Sequence, residues 1–163
     1  MEVILTHENT DFDAIAAMLA ASKLYPDAVP LLPRRPNRNV RDFLTLYGEE
    51  LPYVRMEDLT RHNVTRVILV DTQSVSPVKG MSPATQTYVI DHHRLSRPLD
   101  EGTTATILEL GATTTILVEQ MVEQGIPVTP IEATLLLLGI YEDTGSLSYL
   151  TTTPRDVRAA DRK

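Results

Sequence analysis

The 163-residue chain contains no cysteine. That excludes a disulfide framework and any thiolate metal site. A cytoplasmic setting is the simplest expectation, although a cysteine-free chain is compatible with any compartment. Long apolar runs are missing as well: the longest centres on Leu135–Leu138, far short of a membrane span. No membrane partner is therefore expected. A strand-like run already begins at Val3, so no signal peptide is expected. Positive charge is in deficit, with 15 Lys and Arg against 22 Asp and Glu, a net charge of −7. An acidic surface argues against broad coating by nucleic acid. Repeats, low-complexity tracts and long linkers are absent from the sequence. What is present is 42% hydrophobic residues, enough for one globular domain with a real core.

The apolar runs suggest an α/β fold with a mainly parallel sheet, expected to have five strands, and a helical second half. Val3–Leu5, Val29–Leu32, Val67–Val70 and Thr87–Ile90 read as strands. Asp13–Leu24 has helical spacing, stopped by Tyr25-Pro26-Asp27, and Val40–Tyr47 reads as a short amphipathic helix closed by Gly48. Ala112–Glu123 reads as a helix stopped at Gly125. Thr129-Pro130-Ile131-Glu132 has the form of a capping box, announcing a helix through Ala133 to about Tyr141. Thr153-Pro154-Arg155-Asp156 repeats that start signal with almost no chain left, which reads as a cut inside a larger protein.

Acids and histidines gather in four segments: His7, Asp11 and Asp13; Asp71; Asp91, His92 and His93; and Asp143. Three of the segments follow strand-like runs, and parallel strands bring their carboxyl ends to one edge, where ligands bind. Four carboxylates beside two or three imidazoles repel one another without a cation. Oxygen and imidazole donors without thiolate suit manganese, magnesium or zinc. Each segment alone also has a plainer reading: Asp11 as a helix cap, Asp71 as a turn former, Asp91-His92-His93 as a solvated turn, Asp143 as part of a helix end. Arg34, Arg35, Arg38 and Arg41 place four arginines in eight residues. They suit phosphate contact, or a solvated loop paired with Asp42, Glu49 or Glu50. Ser74, Ser76 and Ser82 read as loop residues, not nucleophiles.

Taken together, His-x-Asn-x-Asp-x-Asp-Ala at 7–14, Val-Asp-Thr-Gln at 70–73, Asp-His-His at 91–93 and Gly-Ile-Tyr-Glu-Asp-Thr-Gly at 139–145 resemble the DHH phosphoesterase family over essentially the whole chain. The resemblance implies two divalent ions, most often Mn2+, with Mg2+ or Co2+ as substitutes. One ion would take His7, Asp11 and Asp71. The other would take Asp13, Asp71 and His92, with Asp143 near both. Asp91 would orient a histidine, and His93 would face the substrate. Asp71, His92, His93 and Asp143 would form the catalytic group, with Arg34, Arg35 and Arg38 as further substrate contacts. The implied chemistry is in-line attack by a hydroxide held between two ions about 3.5–4 Å apart.

Implied substrates are short single-stranded oligonucleotides, cyclic dinucleotides or phosphorylated nucleotides, with inorganic pyrophosphate a lesser candidate. A nucleotide- or metal-sensing domain with little catalysis is the rival. Thr6–Ala16, Lys23–Pro26 and Asn37–Leu44 further resemble a bacterial subgroup in which a DHH domain opens a longer protein. In that subgroup the chain continues into a DHH-associated domain, paired CBS domains and a tRNA nucleotidyltransferase-like module. Residues 1–163 are thus expected to be a DHH domain cut before its substrate-binding partner, with impaired activity in isolation. Self-association is compatible with the sequence but not specified by it.

Overall fold

The computed structural model describes residues 1–59, 63–74, 76–95 and 97–161. Six strands, β1 (Glu2–Leu5), β2 (Ala28–Leu32), β3 (Val54–Arg55), β4 (Arg66–Val70), β5 (Gln86–Asp91) and β6 (Thr103–Ile107), form one sheet in the order β3-β2-β1-β4-β5-β6. Every pairing is parallel. The sheet thus has one strand more than expected. β3 is only two residues long, and β6, Thr-Thr-Ala-Thr-Ile, is a partly exposed edge strand without an apolar run. Its threonines suit a pleated surface, but nothing in it has the continuous apolar character of a strand buried on both faces. β1 and β4 do, and both are almost wholly buried.

Among the described residues, five α-helices complete the fold: α1 (Phe12–Leu24), α2 (Arg38–Tyr47), α3 (Thr113–Glu123), α4 (Pro130–Thr144) and α5 (Pro154–Asp161). α1 is buried from Asp13 to Ala21 and has no solvent-facing polar stripe over that stretch. Its small alanines let α3 and α4 close around it, so it is the central helix of this layer. The capping box at the start of α4 forms as expected: Thr129 accepts from Glu132 N at 3.3 Å and Glu132 accepts from Thr129 N at 2.7 Å. Glu132 also receives Lys23 of α1 at 2.8 Å, which ties the two helices together at that end.

Gly139 lets α4 pack closely against α1 and α3. A Cβ there would stand 2.7 Å from Ala16 Cβ and 2.8 Å from Thr114 Oγ1. Asp143 lies one turn later on the same side of α4, so the approach at Gly139 also sets where Asp143 points. Past α4, Gly145, Ser146 and Leu147 all have positive φ (55°, 56° and 68°), a tight left-handed turn that folds the chain back. α5 then buries Asp156, whose carboxylate accepts from Gly111 N at 2.9 Å, Thr115 Oγ1 at 2.6 Å and Thr153 N at 2.7 Å. Burial opposes the charge on Asp156, but the hydrogen bonds from Thr115, Thr153 and Gly111 outweigh it and hold this carboxyl below its ordinary range.

Because that pKa is depressed by folding, its stabilisation is present above the ordinary aspartate range and is lost as pH falls through the lowered value. Asp156→Asn should lower stability at neutral pH by about 1–3 kcal/mol and flatten the loss of stability on acidification. Urea unfolding followed by circular dichroism across acidic pH measures both effects. Gly139→Ala should cost about 1–3 kcal/mol by overpacking. The same titration at neutral pH would show an unchanged midpoint if the gap between α1 and α4 could relax.

Candidate metal centre

The strand order reverses between β1 and β4, and the candidate residues assemble at the carboxyl ends of the strands around that switch point. His7 follows β1, Asp71 follows β4, and Asp91 ends β5 with His92 and His93 just beyond. Asp11 and Asp13 stand at the start of α1, and Asp143 near the end of α4. Asp71 leaves its strand with φ of 57°, in a left-handed conformation unusual for a residue with a side chain. That backbone is held by Asp71 N donating to Ile90 O at 3.0 Å.

Asp71 is the centre of the group. His7 Nε2 lies 3.3 Å from its Oδ2, and His92 Nε2 and His93 Nδ1 lie 3.7 Å and 3.8 Å from its Oδ1. His92 Nε2 is also 3.2 Å from Asp143 Oδ2 and 4.0 Å from Asp13 Oδ2. Two sets of donor atoms share this space with the spacing of a coordination shell: His7, Asp11 and Asp71, and Asp13, His92 and Asp143. A third set joins Asp71, Asp91, His92 and His93. All eight acids and histidines singled out in the sequence therefore meet at one point.

The arrangement fits a cation. His92 Nε2 is buried and, although Asp143 Oδ2 lies 3.2 Å away, no hydrogen bond of good geometry satisfies it; among the described buried side chains it shares that state only with Thr6 Oγ1. Its other nitrogen, Nδ1, donates to the Leu110 carbonyl at 3.0 Å, so Nε2 is turned toward three carboxylates and, once deprotonated, offers a lone pair to a cation. His7 is set the same way, its Nδ1 donating to the Glu8 carbonyl at 2.7 Å. An unsatisfied imidazole nitrogen facing carboxylates is the donor set of a divalent ion with oxygen and nitrogen ligands.

The electrostatics point the same way. The Asp71 hydrogen bond, against the opposing effect of burial, raises His7 to about 9. Burial works against the charge on His92 too, but Asp143 and Asp13 outweigh it and raise the ring to about 10. Burial, with the charges of Asp71 and Asp143, pushes Asp13 well above the usual carboxylate range. Burial also raises Asp11. The protein alone thus answers its crowded acids by holding protons, which a metal ion has to displace.

Thr113 and Thr114, outside the motif segments, support the cluster, as does Glu142 from within one. Asp13 is fully buried and accepts from Thr113 N and Thr114 N, each at 2.8 Å. These are the first amides of α3, whose own cap residue, Ala112, has no side-chain acceptor. Asp13 therefore caps α3 from another helix, with the positive end of the helix dipole facing it. Thr113 Oγ1 donates to Asp71 Oδ1 at 2.8 Å and accepts from His92 N at 3.2 Å. Asp11 caps its own helix by accepting from Ala14 N at 3.0 Å, so the cap reading and the cluster reading hold together. Glu142 accepts from Phe12 N and ties the end of α4 to the start of α1.

His93 differs from His92. Its side chain is 59% exposed, against 12% for His92. Its Nδ1 lies 2.9 Å from Asp91 Oδ1, and Gln73 donates to the other Asp91 oxygen at 2.8 Å. Asp91 therefore holds His93, and its hydrogen bond raises the ring above the ordinary histidine range. The arginine loop lies against the first segment. Asn9 N donates to Arg35 O at 2.9 Å, Arg35 N to Glu8 Oε2 at 3.2 Å, and Asn37 N to Thr10 O at 2.9 Å. Arg38 lies 3.7 Å from Asp42 with both side chains mostly exposed, a pairing worth little.

A family model, the DHH family N-terminal domain, matches residues 2–140. The chain belongs to the DHH family. Curated relatives include A-adding tRNA nucleotidyltransferases of Geobacter sulfurreducens, 43% identical over 98% of this chain and 19% of the relative, and of Aquifex aeolicus, 35% identical over 97% and 18%. A probable manganese-dependent inorganic pyrophosphatase of Lactobacillus helveticus is 32% identical over 98% of this chain and 53% of its own length. The crystal structure of a Methanococcus jannaschii protein assigned to the family II inorganic pyrophosphatases superposes with a TM-score of 0.73 at 26% identity, covering 98% of this chain and 54% of that one. The chain thus spans about a fifth of the nucleotidyltransferases and about half of the pyrophosphatases. No described helix is long and apolar enough to cross a membrane.

Thr113→Val removes the hydroxyl that joins Asp71 to His92 while keeping the shape of the side chain. Manganese affinity measured by calorimetry should fall about 10–100-fold, with the circular dichroism spectrum retained.

Proposed function

We propose that this chain is the metal-binding portion of a phosphoesterase that hydrolyses short oligonucleotides, cyclic dinucleotides or phosphorylated nucleotides. The observation that supports this reading is the buried, unsatisfied His92 Nε2 facing Asp13, Asp71 and Asp143. Two divalent ions are proposed, manganese first, with magnesium or cobalt as substitutes. His7, Asp11 and Asp71 would hold one; Asp13, Asp71, His92 and Asp143 the other. Bound there, such ions supply Lewis acidity and make a water nucleophilic at neutral pH.

The remaining roles belong to the chain's own side chains. Asp71 stands between the two sets and fixes their separation. Asp91 accepts a hydrogen bond from His93 Nδ1 and favours the protonated ring, whose exposed Nε2–H can donate to a phosphate oxygen. Arg34, Arg35 and Arg38 are proposed as further substrate contacts, because their loop is bonded to the segment that carries His7 and Asp11. The higher identity to the long tRNA nucleotidyltransferases favours a longer parent chain with more domains over a two-domain pyrophosphatase. Inorganic pyrophosphatase is the second reading, favoured by the Lactobacillus relative and the Methanococcus structure.

Crystals grown with manganese and measured at its absorption edge should show two peaks within the cluster. Asp71→Asn should remove at least one peak and lower manganese-dependent cleavage of bis-p-nitrophenyl phosphate more than about 100-fold, beyond the loss expected from an outer-shell change. Nucleotide binding without hydrolysis in saturating manganese would instead assign the chain to sensing.

A further inference from the structure

β2 and β3 end on the same sheet edge as β1, β4 and β5, because every strand of the sheet is parallel. Just beyond β2 and β3 lies a pocket of about 460 Å3 lined by Leu32, Pro36, Arg34, Arg41, Arg55 and Met56, among others. Arg34 comes from the loop after β2, Arg41 from α2 and Arg55 from the end of β3. Three arginines from three elements, together with Glu57, thus line one depression in an acidic protein. Among the described residues, neither Arg34 nor Arg41 is ion-paired. Arg55 lies 3.7 Å from Glu57, with both side chains about three-quarters exposed, so that pairing is easily exchanged.

The pocket is joined to the metal centre. The backbone bonds from Asn9 to Arg35 and from Asn37 to Thr10 fasten its arginine loop to the loop of His7 and Asp11. With neighbouring strands about 4.8 Å apart, the middle of the pocket lies roughly 10 Å along the edge from the middle of the cluster. A phosphoryl group at the cluster and an anionic group among the three arginines can belong to one molecule only if that molecule is extended. Pyrophosphate is too short.

We propose that Arg34, Arg41 and Arg55 form a distal subsite that takes the backbone of a single-stranded oligonucleotide whose scissile phosphate lies at the metal centre. The subsite makes the substrate of the proposed phosphoesterase a chain of nucleotides instead of a compact phosphoanhydride, and so rests on that reading. Guanidinium groups supply the charge and the paired donors that phosphate oxygens require. The apolar floor of Leu32, Pro36 and Met56 gives the sugars and bases a surface to lie on.

The test uses the intact chain and fluorescein-labelled, phosphorothioate-linked single strands in manganese, read by anisotropy. An octanucleotide should bind at least tenfold tighter than a dinucleotide. In the octanucleotide series, Arg41→Ala with Arg55→Ala should remove most of that gap and reduce the salt dependence of log K by about 1.4, two contacts at about 0.7 each. Inorganic tripolyphosphate that competes as well as an unlabelled octanucleotide would overturn the nucleotide assignment. Equal affinity for both lengths, or a length gap untouched by the double variant, would overturn the subsite. The two readings fail separately. Manganese-dependent cleavage of bis-p-nitrophenyl phosphate without a length gap leaves the phosphoesterase and removes the groove. A length gap carried by the arginines without any such cleavage does the reverse.

Discussion

A single buried carboxylate, Asp13, holds the architecture and the candidate metal centre in one register. It accepts the first two free amides of α3, a helix with no cap of its own, and its Oδ2 also faces His92. A carboxylate with no exposure is costly unless hydrogen bonds or a cation compensate. Here two amides and a helix dipole supply part of the compensation, while Asp71 and Asp143 oppose it. On the proposed reading, a divalent ion would provide the remainder. The residue that fastens α1 to α3 is thus also a residue left electrostatically incomplete, and stability and metal binding draw on the same atoms.

The shell behind the cluster follows the same economy. Asp11 caps α1 while offering its other oxygen to the site, Thr113 starts α3 while joining Asp71 to His92, and Glu142 closes α4 onto α1 one residue before Asp143. Gly139 makes this feasible by removing the side chain that would keep α4 away. The four motif segments are therefore rigidly supported, on strand ends and helix ends, with hydrogen bonds already directed.

Much of this was legible in the sequence. Apolar runs, partly polar in β5, announced β1, β2, β4 and β5, and the start signals at Thr129 and Thr153 announced α4 and α5. Convergence of the acids and histidines followed from placing their segments after parallel strands. β3 and β6 were not legible, because a two-residue strand has no periodicity and a threonine-rich edge strand has no apolar face to reveal it. Thr113, Thr114 and the Leu110 carbonyl were missed for a different reason. Backbone amides carry no residue signature, and threonines at a helix start look like ordinary caps. The arginine loop was visible as composition, but its attachment to the His7 segment depends on backbone bonds between two loops, which no side-chain pattern encodes.

The amides that Asp13 accepts come from residues 100 and 101 positions later, and His7 meets Asp71 across 64. Contacts of such span form late and slowly, since each closes a long loop before any stabilisation is gained. During synthesis, the sheet residues through β6 emerge before α4 and its Asp143. A nascent chain of that length has most of the acids and none of the closure. On the proposed reading, the centre is a property of the finished fold, and metal uptake would report that folding has run to its end.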